Sequence, residues 1–119
     1  MEGLLKSKAL FTKDRIVAPE LVLYEVTNSV WKHEHLLKDL EDGKPYLSIF
    51  YGLINSGKIV IISPSEALMQ ESYSIAKRND MTIYDAVFVS MAIKLDLALK
   101  TFDKVQIRAL ASETKNASL

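Results

Sequence analysis

The chain has 119 residues, equal numbers of basic and acidic side chains (15 each), and no cysteine. This length suits one domain over residues 1–119 with a true core, and the balanced charge excludes a global positive field that gathers nucleic acid, so any polyanion contact must come from a local patch. The absence of cysteine excludes disulfides, thiolate nucleophiles and Cys-ligated zinc; with no signal-like start and no apolar run near the roughly 18 residues needed to cross a bilayer, it points to a cytoplasmic chain without a membrane partner.

Leu4, Leu5, Lys8 and Phe11 suggest a short opening helix, and Arg15 to Ala18 reads as a brief strand ended by Pro19. Proline is tolerated in a first helical turn, where its missing N–H has no partner to lose, so a helix is expected from Pro19 to about His35. Leu23, Val26 and Val30 form its apolar stripe with Trp31 beside it, while Glu25, Asn28, Ser29 and Lys32 share another face. Glu41 to Pro45 is turn material, and Tyr46 to Asn55 reads as a helix stopped by Ser56-Gly57. Ile59 to Ile62 is a continuously apolar, β-branched run, the pattern of a strand covered on both faces. The next helix starts at Ser63-Pro64 or Ser65-Glu66 and runs to about Arg78, where Asn79-Asp80 ends it. Thr82 caps a helix to about Leu95, Leu97 to Thr101 is a third strand, and a last helix covers Lys104 to Ala111 ahead of a frayed tail from Ser112. Helices alternating with apolar strands predict an α/β fold, a three-layer sandwich with a short parallel sheet flanked by helices.

Three acidic residues lie near junctions between these elements: Glu25, Asp85 and Asp103. Ligands of open parallel sheets bind beyond the carboxyl ends of strands, and convergence of the three there gives an all-oxygen site suited to Mg²⁺ or Mn²⁺. Each also has a structural explanation. Thr82-Ile83-Tyr84-Asp85 fits a capping box, Glu25 is placed to pair with Lys32 or Asn28, and Asp103 suits a turn or the cap of the final helix. Asp85, however, sits in a helix apolar on nearly every face, where a carboxylate needs a partner or an ion. His33 and His35 are two apart and point to different sides of a helix, so they read as surface histidines rather than a zinc pair. Trp31 and the tyrosines read as core and interface material. Glycine-rich phosphate loops, dinucleotide fingerprints and the serine-hydrolase elbow are all absent.

Three pieces, in this order and spacing, carry a resemblance: Ala18 to Asn28 with its Ala-Pro-Glu start, Thr82-Ile83-Tyr84-Asp85-Ala86, and Leu99-Lys100-Thr101-Phe102-Asp103-Lys104. Together they resemble the PIN domain family, and more narrowly the ribonuclease toxins of VapBC-type toxin-antitoxin pairs. The resemblance implies that Glu25, Asp85 and Asp103 are metal-holding catalytic acids, that Thr101 and Asn28 support them, and that Lys100, Lys104 and Arg108 steer an RNA backbone. It implies single-stranded RNA as substrate, Mg²⁺ or Mn²⁺ as cofactor, and an antitoxin-like protein and a second copy of the chain as partners. It also implies a strand ending in a first aspartate ahead of Ala18-Pro19-Glu20, for which neither Glu2 nor Asp14 stands in the right context. The expectation is an N-terminally truncated domain in which the sheet closes up, or another chain or segment fills its middle, or the sequence begins at a downstream methionine of a longer gene, with weak metal affinity and little or no activity. The alternative expectation is a catalytically silent interaction module, docking through the Ile83 to Leu95 helix or the Tyr46, Phe50 and Tyr51 helix.

Overall fold

A computed structural model describes residues 8–12, 15–101 and 103–117. Among these the elements run β1 (Lys8–Thr12), β2 (Arg15–Pro19), α1 (Leu21–His35), α2 (Lys44–Asn55), β3 (Ile59–Ile62), α3 (Glu66–Asn79), α4 (Ile83–Lys94), β4 (Ala98–Thr101) and α5 (Lys104–Ala117). The strands form one sheet in the order β3-β2-β1-β4. β2 and β3 pair in parallel, with Val17 opposite Val60. β1 is antiparallel to both neighbours, Leu10 facing Val17 on β2 and Leu99 on β4.

The sheet is therefore mixed rather than wholly parallel. Yet β2 and β4 both run against β1, so they run the same way as each other, and β3 runs with them. The carboxyl ends of β2, β3 and β4 share one rim, as a parallel sheet would arrange them.

Residues 8–12 correct the expected opening helix: Lys8 and Phe11 lie in β1, while Leu4 and Leu5 fall outside the described residues. Pairing on both sides and complete burial of Leu10 override the local helical spacing. The middle of the sheet is thus filled by the chain's own segment. Asp14, the other expectation near this hairpin, also lies outside the described residues. Pro19 ends β2, opposite Ile62, instead of opening α1.

Val22, Val26 and Val30 turn the inner face of α1 to the core, with Leu23 partly covered. Trp31 is half-exposed and stacks on His35 with ring centroids 5.3 Å apart. The tyrosines are exposed as well, so the core is aliphatic around Phe50 and Phe88 rather than built on tyrosine.

α4 is apolar all round because it packs on two sides. Val87, Phe88 and Met91 join Leu10, Val17, Val26 and Phe50 in the main core, while Ala86 and Val89 meet Ile75, Ala76 and Ala109 from α3 and α5. Residues 86–92 are buried within the monomer, so of this helix only the ends, at Tyr84 and Leu95, expose apolar surface; on α2, Phe50 is core while Tyr46 and Tyr51 are exposed.

α5 does not fray at Ser112 but continues to Ala117. The reason is Glu113, only 7% exposed, which accepts hydrogen bonds from Arg78 Nε (3.0 Å), Arg78 Nη2 (2.7 Å) and Asn79 Nδ2 (2.9 Å). This ties α5 to the end of α3. Among the described residues no helix is long and apolar enough to cross a membrane.

Candidate functional site

Thr82 stands in extended conformation just before α4, and its hydroxyl accepts the Asp85 N–H at 3.3 Å. The cap predicted from the sequence is present. It leaves the Asp85 carboxyl in the first helical turn, at the positive end of the helix dipole. Asp103 plays the corresponding part for α5: its Oδ1 accepts the Val105 N–H at 2.8 Å, and its carbonyl accepts the Ile107 N–H at 3.0 Å.

Both carboxylates line one cleft of about 430 Å³, together with Asp80, Met81, Thr82 and Val105. The α3–α4 turn supplies one wall and the start of α5 the other. Asp80, in the left-handed conformation that ends α3 (φ 51°), is a third acid on this lining that the sequence reading passed over. Asparagine and aspartate reach that conformation more readily than other side chains, and Asn79-Asp80 read only as a helix stop.

Beneath the two acids runs a chain of hydrogen bonds. The Asp103 N–H donates to Thr101 Oγ1 (3.1 Å), the Thr101 hydroxyl bonds Gln106 Oε1 (2.6 Å), and Gln106 Nε2 donates to the Asp85 carbonyl (3.2 Å). Thr101 thus supports the Asp103 backbone, and Gln106 links it to α4. The only signal for Gln106 was its place three residues after the cap, where a capping box would turn its side chain back to the Asp103 N–H. Thr101 has taken that donor instead, which frees the amide for Asp85.

Glu25 and Asn28 are exposed on α1, outside the lining of this cleft. α1 follows β2, and β1 stands between β2 and β4, so the starts of α1 and of the β4–α5 turn lie about two strand spacings, roughly 10 Å, apart. Glu25, in the second turn of α1, does not line the cleft of the two aspartates. Among the described residues no group of three or more His, Asp or Glu side chains is gathered closely enough to cage a metal.

Two carboxylates in an open cleft still match the needs of a hard cation. Mg²⁺ keeps several waters and takes only one or two protein carboxylates when a phosphate completes its shell. Lys100 and Lys104 are exposed on either side of Asp103. Arg108 lines a second cleft of about 370 Å³ with Asn79, Asp80, Val105, Ala109 and Ser112. The two clefts share Asp80 and Val105.

Ribonuclease VapC3 of Pyrobaculum aerophilum is 28% identical over 87 residues, a match covering 71% of this chain and 63% of that protein. The chain therefore spans less than two thirds of the length of the relative it matches. No solved structure gives a significant match. The sequence pattern of the PIN domain matches residues 2–111, nearly the whole chain, with the β2–α1 junction, the start of α4 and the end of β4 all inside it. The chain belongs to the PIN domain family.

Proposed function

We propose that this chain is a metal-dependent ribonuclease of the PIN type that cleaves single-stranded RNA, and the toxin of a toxin-antitoxin pair acting in the cytoplasm. The observation that carries the reading is the meeting of Asp85 and Asp103, from separate elements, in one cleft with their main chains tied together. The similarity to Ribonuclease VapC3 supports it.

A bound Mg²⁺ or Mn²⁺ supplies Lewis-acid chemistry: it lowers the pKa of a water toward neutrality and offsets negative charge on the phosphate. Asp85 and Asp103 would hold it directly. Glu25 would help to hold it from α1, with Asn28 in support from the same helix. Thr101 keeps Asp103 in place. Arg108, in the adjoining cleft, is the best placed of the three cations to receive the neighbouring phosphate, with Lys104 and Lys100 adding attraction from outside.

Exposed Leu36, Leu37, Tyr46 and Ile49 on and after α1 and on α2 support a protein partner, either an antitoxin-like protein or a second copy in a homodimer. Light scattering of the purified chain distinguishes monomer from dimer.

The test is cleavage of a labelled single-stranded RNA with Mn²⁺ by the wild type, Asp85→Asn, Asp103→Asn and Glu25→Gln. Loss of cleavage in both aspartate variants and a smaller loss in Glu25→Gln are expected. Cleavage that survives Asp103→Asn defeats the reading, as do identical Mn²⁺ binding heats from the wild type and both aspartate variants.

A further inference from the structure

Gln106 is 0% exposed, a primary amide enclosed in the first turn of α5. Such a group is retained in a core only when its donors and acceptor are satisfied. Here its partners are Thr101 Oγ1 at 2.6 Å and the Asp85 carbonyl at 3.2 Å, and the same hydroxyl takes the Asp103 N–H at 3.1 Å.

The direction of this chain is fixed by its ends. An amide N–H can only donate and a carbonyl can only accept, so the Thr101 hydroxyl passes its proton to Oε1 and the amide presents Nε2 to Asp85. No flipped arrangement satisfies both ends. Those ends are main-chain atoms of the two residues whose carboxylates line the cleft.

We infer that Gln106 is a positioning residue, which holds the first turn of α4 against the start of α5 and so sets the span between the Asp85 and Asp103 carboxylates. Its consequence for metal binding rests on the function proposed above; its geometry does not. Groups that orient a metal's ligands without touching the ion commonly change affinity tenfold to a hundredfold when removed. Replacement by an apolar side chain of similar length fills the same space and leaves the two acids to move independently.

The experiment compares the wild type with Gln106→Met, Thr101→Val, Thr101→Ser and the Gln106→Met/Thr101→Val double variant, each confirmed as folded by its thermal transition. Mn²⁺ titration calorimetry should give affinities weakened about tenfold or more in Gln106→Met and in Thr101→Val. The double variant should be no weaker than either single one, because both cut the same chain, and Thr101→Ser should restore binding. Additive losses, or wild-type affinity in Gln106→Met, overturn the inference. In metal-free protein, the side-chain carboxyl ¹³C resonances of Asp85 and Asp103 should both shift in Gln106→Met while that of Glu25 stays. Stationary aspartate resonances overturn the positioning role whatever the ion does. If those resonances move but Mn²⁺ binding is indifferent to Asp85→Asn and Asp103→Asn, the positioning role stands and the metal-dependent function falls. Should Gln106→Met fail to fold, Thr101→Val carries both readouts through the same bond.

Discussion

The link between α3 and α5 makes an asymmetric prediction. Glu113 is 7% exposed while the Arg78 side chain is 48% exposed, and Arg78 also lies 3.7 Å from Glu71. Glu113→Ala removes three hydrogen bonds, but Arg78 stays solvated and Asn79 keeps its bond to the Ile75 carbonyl at 2.9 Å. The expected cost is about 1 kcal/mol, since solvent screens a half-exposed ion pair. Arg78→Ala instead strands a covered carboxylate with Asn79 Nδ2 still donating to it, and should cost about 2–3 kcal/mol. The same bonds set a pH dependence. Hydrogen bonding from Arg78 holds the Glu113 carboxyl below the usual carboxylate range, against the opposing effect of burial and with help from Asn79. The unfolded chain then binds this proton more tightly than the folded one. The stabilisation is complete above the unfolded value of about 4.3 and is lost as pH falls through the depressed folded value. Urea titrations of the wild type, Glu113→Ala and Arg78→Ala at neutral pH, and of the wild type and Glu113→Gln from pH 6 to pH 2.5, test both parts. An Arg78→Ala cost no larger than that of Glu113→Ala, or identical acid limbs in wild type and Glu113→Gln, refutes the reasoning.

Other perturbations read other parts of the fold. Leu10→Ala should lose about 2–5 kcal/mol in chemical denaturation, as expected of a fully buried residue in a central strand; a loss under about 1 kcal/mol would place residues 8–12 outside the core. Gly43 is buried at the α1–α2 corner, its N–H bonded to Glu34 Oε1 at 2.7 Å, and an added Cβ would run into Val30, itself 4% exposed. Gly43→Ala should therefore destabilise by about 1–3 kcal/mol, and a melting temperature equal to wild type would contradict it. Among the described residues the buried Ser90 hydroxyl has no hydrogen-bond partner, so Ser90→Ala should raise stability by about 1 kcal/mol, with a fall counting against this assignment.

Local signals carried most of the fold. Ile59 to Ile62, the Thr82 cap and the Ser65 start of α3, where Ser65 Oγ accepts the Leu68 N–H at 3.1 Å, follow from patterns a few residues long. The failures are long-range. β1 is a strand because of what pairs on either side of it, and α5 extends because Glu113 meets residues of another helix. Neither partner is visible in a short window of sequence. The site divides the same way: Asp85 and Asp103 are legible as acids at element starts and do line one cleft, but the placing of Glu25 depends on a strand inserted between β2 and β4. Gln106 escaped notice because one of its two partners, the Asp85 carbonyl, lies 21 residues away on another helix.

The reversed central strand also bears on when the cleft comes into being. Leu10 pairs with Val17, a closure so short that the β1–β2 ribbon costs little entropy to form and belongs to the microsecond events of folding. β4 meets the same ribbon with Lys8 opposite Thr101, a contact that must wait for almost all of the intervening polypeptide. Asp103 follows directly. During synthesis the cleft therefore cannot assemble until the segment past Asp103 has emerged and docked, however early the β1–β2 ribbon samples its pairing.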